Sequence, residues 1–160
     1  MRVSIIAVGR LKDDAEREIV SRYLTRFAQS GRTLGLSSGD TVELPESRAS
    51  TDGLRRADEA LRLERAMATA DVRVMLDVEG RPMPSPAFAE TIAAERDSGR
   101  KHMAIVIGGP DGMTRELLST ASYRLSLGPM TLPHGLARVV MAEQLYRAAT
   151  ILAGHPYHRA

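Results

Sequence analysis

Short apolar runs alternate with longer amphipathic segments along the whole chain, and this alternation is the feature that most restricts the fold. Five runs have the length and the apolar or β-branched character of strands, and they lie at residues 2–8, 41–44, 72–78, 103–107 and 124–127. Strands that alternate with helices predict a mostly parallel sheet flanked by helices on both faces. The expected fold class is therefore α/β, without internal repeats.

The segments between the strands carry helix signals. Asp13 and Asp14 can cap a first helix whose apolar stripe reaches Phe27, and Thr114 can cap a short helix that ends near residue 121. Further helices are expected at 51–68, 85–99 and 135–153. The stretch 30–40 is rich in glycine and serine and is predicted as a loop, and 79–82 is predicted as the turn that ends the third strand.

Length and composition predict a single domain over residues 1–160, with a polar tail at 154–160. The chain has no cysteine, which excludes disulfides, a thiolate nucleophile and cysteine-ligated zinc, and its four histidines form no convincing metal-ligand set. The start of the sequence is unlike a signal peptide, and no run has membrane-spanning length, so we expect a cytoplasmic protein without membrane association. The net charge of +2 weakly favours a nucleic acid as the binding partner.

Three unusual loops follow strands of the predicted sheet, after Val78, Ile107 and Leu127. Ligands of open parallel sheets bind beyond the carboxyl ends of the strands, so these loops form the candidate site. The second loop reads Gly-Gly-Pro-Asp-Gly at 108–112, which lets the backbone approach a ligand but is also what a tight strand-to-helix turn needs. It is neither GxGxxG nor a phosphate-binding P-loop, so a conventional Rossmann site is not expected.

The third loop, 127–134, is apolar and contains two prolines. Either it packs as core, or its backbone groups line a pocket for a flat heterocycle such as adenine. His134, at the end of this loop, is by default a neighbour of the N-cap of the last helix.

The last helix and the tail carry further candidate groups. Glu143 and Arg147 are one helical turn apart and are expected to form an ion pair, whereas Arg138 is either solvated or contacts a phosphate. The tail reads His-Pro-Tyr-His-Arg at 155–159, which combines groups that stack on bases, exchange protons and hold phosphates. A frayed chain end is the alternative.

Four ordered motifs in this sequence resemble the RlmH family, which comprises bacterial pseudouridine N3-methyltransferases of the large ribosomal subunit within the SPOUT superfamily. The motifs lie at 106–112, 130–134, 138–148 and 155–159. The opening strand that ends at Gly9 and the strand at 75–78 followed by Gly80 also fit, so the resemblance covers the whole chain.

The resemblance implies a SPOUT-type fold with a C-terminal trefoil knot, a homodimer, and S-adenosyl-L-methionine bound in the knotted loops, with S-adenosyl-L-homocysteine as the product and no metal. Carried over by position, the cofactor contacts are Leu76, Gly108, Leu127, Gly128, Pro129, Met130, Thr131 and Leu132. The implied substrate is 23S ribosomal RNA in the assembled ribosome.

A catalytic role is hypothesised for the tail. Tyr157 is expected to stack on the target base or bond to it, His158 to assist proton removal, and Arg159 to hold a phosphate or carbonyl oxygen. Arg138 and His155 are the candidate additional substrate contacts. Two rival functions stay open: methylation of another RNA such as a transfer RNA, and a non-catalytic ribosome-associated protein with the same fold.

Overall fold

The computed structural model describes residues 1–158, and within them strands and helices alternate as predicted. The strands are β1 (Arg2–Val8), β2 (Ser37–Leu44), β3 (Val72–Pro82), β4 (His102–Ile107) and β5 (Tyr123–Ser126). The α-helices are α1 (Asp14–Gly31), α2 (Asp52–Ala66), α3 (Ser85–Asp97), α4 (Arg115–Ser119) and α5 (His134–Leu152). Short 3-10 turns occupy Arg32–Leu34 and Pro156–His158.

All five strands form one parallel sheet with the order β2-β1-β4-β3-β5. The central strand β4 is buried along its whole length, because β1 and β3 pair with it on either side and helices cover both faces. The predicted α/β class is confirmed. Since all strands are parallel, their carboxyl ends lie at one edge of the sheet.

The helices divide between the two faces of the sheet. One apolar cluster joins α1, α3 and α5 to β1, β3 and β4, and includes Phe27, Ile92 and Leu145. A smaller cluster on the other face includes Leu63 of α2 and Leu117 of α4. Among residues 1–158, no helix is both long and apolar enough to cross a membrane.

The two predicted helix caps are confirmed. The carboxylate of Asp13 accepts hydrogen bonds from the N–H groups of Ala15 at 2.8 Å and Glu16 at 3.2 Å. The hydroxyl of Thr114 accepts from the N–H of Leu117 at 3.1 Å. Each cap satisfies donors that have no partner in the first turn of a helix, which is why helices begin at these positions.

The second strand begins earlier than the sequence indicated. The prediction of a loop over residues 30–40 is wrong, because α1 continues to Gly31 and β2 starts at Ser37. β2 is an edge strand in which half of the residues are exposed, half are partly buried and none is fully buried, so it needs no apolar pattern. A Cβ at Gly39 would come within 2.2 Å of the Ser4 hydroxyl oxygen, so glycine permits the close approach of β2 to β1.

The predicted turn at 79–82 is also wrong, since β3 extends to Pro82. β3 pairs with β5 in two registers, with an irregularity between Leu76 and Arg81. A Cβ at Gly80 would lie 2.8 Å from the backbone of Arg124, so the glycine that suggested a turn serves a close strand contact. The irregularity bends the chain at the edge where the candidate loops lie.

Candidate active site

A cleft with a volume of about 790 Å³ opens at the carboxyl edge of the sheet. Its walls come from residues 76–79 within β3 and from the loops that follow β4 and β5, and His134 and Ala137 at the start of α5 complete the lining. The volume lies in the range of small-molecule sites. The three segments selected from sheet topology therefore meet in one concave site, although the first of them belongs to β3 and is not a loop.

Seven of the eight predicted cofactor residues line this cleft: Leu76, Gly108, Leu127, Gly128, Met130, Thr131 and Leu132. The eighth, Pro129, is exposed and is not among the lining residues. Leu76, Leu127 and Leu132 give the cleft apolar walls, and the glycines leave peptide groups accessible between them. This combination suits a flat heterocycle that needs both apolar contact and backbone hydrogen bonds.

Ser126 ties two of the loops together at the end of β5. Its hydroxyl oxygen accepts a hydrogen bond from the N–H of Gly128 at 3.2 Å, and it lies 3.4 Å from the carbonyl oxygen of Val78. Gly128 has φ of +118°, a conformation in which a side chain is strained, so glycine permits the turn into the third loop. Beside it, Met130 is 78% exposed at the mouth of the cleft.

The charged side chains at the cleft have mixed sign. Asp77, Glu79 and Asp111 are the acidic ones, and Arg56 and Arg115 are the basic ones. Asp77 is held by Arg124, whose Nε donates to its carboxylate at 2.8 Å. The cleft therefore offers carboxylates for a cation and guanidinium groups for an anion at its rim.

Arg138 is not a solvent-accessible RNA contact in this structure. Its side chain is fully buried, and it donates hydrogen bonds to the carboxylate of Glu43 and, at 2.9 Å, to the carbonyl oxygen of Gly9. Burial lowers the pKa of Arg138, and the charge of Glu43 opposes that shift. The expected phosphate contact is therefore corrected to an internal link between α5, β1 and β2.

The tail lies away from its own chain's cleft. The hydroxyl of Tyr157 donates to the Glu143 carboxylate at 3.2 Å, and its ring packs on that of Tyr146 with a centroid separation of 4.6 Å. Glu143 is six residues after Ala137, the last residue of α5 that lines the cleft, which is about 9 Å along the helix. Neither His155 nor Tyr157 lines the cleft. A base in this cleft is therefore out of reach of Tyr157 of the same chain in this arrangement.

The structure describes only part of the remaining tail. His155 is exposed, and its Nδ1 accepts a hydrogen bond from the N–H of Tyr157 at 3.2 Å. The side chain of His158 and the whole of Arg159 lie outside the described residues. The predicted ion pair between Glu143 and Arg147 is confirmed, at 2.8 Å.

Two charged residues of α2 contact the Gly108–Gly112 loop and were not predicted from the sequence. Arg55 forms an ion pair with Asp111 at 2.6 Å, and Glu59 is 3% exposed beneath Gly109. The sequence contained one signal for Glu59. It precedes Ala60 on the apolar side of α2, and a charged residue on a buried face indicates a specific contact.

A larger groove, of about 1160 Å³, lies between α1 and the β2 edge. It is lined by side chains of one helix and one strand, among them Leu24, Ser38 and Glu43. Because no group of loops converges on it, the smaller cleft is the better candidate site. Among the side chains that the structure describes, residues 1–157, no three histidine, aspartate or glutamate groups lie so as to hold a metal ion.

The cleft of this parallel sheet is built from a glycine-rich loop and an apolar loop that contains prolines. It has no dinucleotide fingerprint, so the protein belongs to a class of α/β proteins other than the conventional Rossmann class. The chain belongs to the SPOUT methyltransferase family: residues 1–158 match the family described as Predicted SPOUT methyltransferase. A solved structure described as a probable methylase family protein from Haemophilus influenzae Rd KW20 has the same fold, with a TM-score of 0.52 and 17% identity over 99% of this chain and 70% of that one.

Relatives of the same length carry a more specific name. The protein named Ribosomal RNA large subunit methyltransferase H from Brucella anthropi is 49% identical over 160 residues, and the match covers both chains completely. Its namesake from Brucella abortus is 48% identical over 169 residues, again with complete coverage of both. The resemblance predicted from four motifs is thereby confirmed.

Proposed function

We propose that this chain transfers a methyl group from S-adenosylmethionine to N3 of a pseudouridine in 23S ribosomal RNA of the assembled ribosome, in the cytoplasm. The observation that carries the proposal is that residues 76–79 of β3 and the loops after β4 and β5 meet in one cleft of a SPOUT family member. Full-length relatives named as ribosomal RNA large subunit methyltransferases support the choice of substrate.

The residues at the cleft fit the proposed donor. Leucine side chains suit both faces of an adenine ring, and the peptide groups of Gly108 and Gly128 are available to its edge. At the rim, the exposed carboxylate of Glu79 favours a positively charged sulfonium, because Asp77 is already paired with Arg124, and Arg115 favours a carboxylate. When bound, the donor supplies a methyl group that is already activated.

Two tasks then fall to the protein. The cleft must align the nucleophilic nitrogen with the methyl group and exclude water. N3 of pseudouridine is an imide nitrogen that becomes nucleophilic as its proton leaves, so a base or an electropositive surrounding must assist. We assign removal of the N3 proton to His158, stacking on the base to Tyr157 and contact with a phosphate to Arg159. His155 is assigned an additional contact with the substrate.

These tail groups act in the cleft of a partner subunit in our proposal. Within one chain, Tyr157 is bound to Glu143 on the flank of α5, about 9 Å along the helix from the last cleft residue, Ala137. In the dimer that we propose, the twofold axis brings the tail of each chain to the cleft of the other, and the contacts of Tyr157 within its own chain are kept. Leu136, Val78 and Met130 are exposed apolar residues near the cleft mouth, which a partner would cover. The knotted path that the resemblance implies stays a prediction.

The test is transfer of tritiated methyl groups from S-adenosylmethionine to joined ribosomes, separated subunits and transfer RNA, followed by nuclease mapping of the labelled nucleotide. We expect label at a pseudouridine of the large-subunit RNA, mainly in joined ribosomes, because a net charge of +2 gives weak attraction to free RNA. Deleting residues 154–160 should abolish transfer and leave donor binding unchanged in calorimetry.

Two results would contradict the proposal. Label in transfer RNA alone would show that the fold serves another substrate. Failure of the full chain to bind S-adenosylmethionine in calorimetry would favour a non-catalytic ribosome-associated protein.

A further inference from the structure

Two charged residues one turn apart on α2 contact the glycine-rich loop of the cleft. Arg55 binds Asp111 through two nitrogens: Nε donates to one carboxylate oxygen at 2.6 Å and Nη2 to the other at 3.2 Å. Its remaining nitrogen donates to the carbonyl oxygen of Ala49 at 3.2 Å. One guanidinium group therefore joins the loop to α2 and to the segment before α2.

Glu59 supports the same loop from below. One carboxyl oxygen accepts a hydrogen bond from the N–H of Ser47 at 2.8 Å, and the other, Oε2, is buried without a hydrogen-bond partner. A Cβ at Gly109 would come within 2.6 Å of that Oε2. The carboxyl group thus fills the space beneath Gly109, and only glycine fits above it.

The loop has little else to hold it in place. Three of the residues at 108–112 are glycines without side chains, and the N–H of Gly112 donates to the carbonyl oxygen of Gly109 at 2.9 Å, which closes the turn on itself. A turn held by one internal hydrogen bond can open as it moves against the sheet, which exposes the Gly112 amide. Its position therefore depends on the side chain of Asp111 and on the packing beneath Gly109.

We propose that Arg55 and Glu59 are positioning residues that fix the 108–112 loop in the conformation that accepts the methyl donor. The inference rests on the proposed function, because it takes the cleft as the donor site. Holding the loop during folding removes the cost of ordering it when the donor binds. A shift of the loop by even 1 Å would misplace the peptide groups around Gly108.

The test compares variants of the full-length protein by two measurements. Calorimetry gives the dissociation constant for S-adenosylmethionine, and hydrogen exchange without any donor gives the opening rate of the Gly112 amide. R55K keeps the charge but loses the two-nitrogen contact, so we expect roughly tenfold weaker donor binding and faster exchange at Gly112. D111N, which changes the partner of Arg55 in the loop, should have the same two effects.

Two further variants separate positioning from general stability. Exchanging the charges in the double variant R55D/D111R should recover part of the donor affinity that either single change loses. E59D withdraws the carboxyl from beneath Gly109 and should weaken binding, whereas E59Q keeps its shape and should not. The matched control is R62K, because Arg62 pairs with Asp58 on the same helix at 2.5 Å and does not line the cleft.

Unchanged donor affinity and unchanged Gly112 exchange in R55K and D111N would overturn the proposal, as would equal effects in R62K. If R55K does not fold, D111N supplies the same comparison. If the unaltered protein binds no S-adenosylmethionine, the proposed function fails, and the exchange of Gly112 still decides whether the two residues position the loop.

Discussion

Arg138 and Glu43 form an ion pair in which only the arginine is fully buried: the guanidinium side chain is 0% exposed and the carboxylate side chain 31%. Arg138 Nε has no hydrogen-bond partner, whereas Nη1 donates to the Glu43 carboxylate and Nη2 to the carbonyl oxygen of Gly9. The pair connects the helix that begins at the cleft to the two strands beside it. The unequal burial of its members leads to unequal consequences when either is removed.

The E43A variant should lose about 3–5 kcal/mol of unfolding free energy, because it leaves a buried guanidinium without a carboxylate. R138M should lose clearly less unfolding free energy, because methionine fills similar space and the unpaired carboxylate of Glu43 can be hydrated. Urea denaturation of both variants measures the difference. Equal losses would contradict the assignment of the desolvated charge to Arg138.

Glu59 should make stability depend on pH. Burial, followed by the charges of Asp111 and Glu46, raises its pKa above the ordinary value of 4.5. A raised pKa in the folded state means that stability is complete below the unfolded value and is lost as the pH rises through the folded value. E59Q cannot ionise, so its advantage over the unaltered protein should grow between pH 5 and pH 8.

The control for this pH effect is D97N. The hydrogen bond from Arg96 lowers the pKa of Asp97 below its ordinary value of 3.8, so its contribution is lost only in more acidic solution. We therefore expect no change in the difference between D97N and the unaltered protein from pH 5 to pH 8. A flat profile for E59Q as well would show that Glu59 titrates normally.

The tail should complement a defective cleft in another subunit. T131W fills the cleft, and deletion of residues 154–160 removes the tail, so each protein alone should be inactive. After the two are refolded together, about half of the dimers contain both chains, and each of these has one complete site. Methyl transfer should therefore return to about a quarter of the normal rate. No recovery in verified mixed dimers would place the tail in its own chain's site.

Gly128 should tolerate no side chain although there is space for one. An added Cβ meets nothing within 4 Å, but φ is +118°, so G128A should cost about 1–3 kcal/mol through backbone strain alone. We expect a lower melting temperature and weaker donor binding. G53A is the matched control, because Gly53 also has open space, lies in the first turn of α2 and has no positive φ. It should be neutral or slightly stabilising.

The sequence predicted the α/β class and the edge of the sheet that carries the site, because strand and helix periodicity and loop composition are local properties. It found residues 41–44 of β2 but failed at the start of β2 and at the end of β3. Both segments are extended because they pair with a neighbouring strand, and Gly39 and Gly80 permit the close contact. In the sequence alone, the same glycines indicate turns.

What the sequence alone determined, then, is the order of elements, the helix caps at Asp13 and Thr114, and the loops that line the cleft. Only the tertiary structure decided that Arg138 is internal, that Tyr157 is held on the flank of α5, and that Arg55 and Glu59 reach the glycine-rich loop. The reason is physical: a charged side chain has the same local signature whether it is solvated or buried, and only its distant partners settle its role.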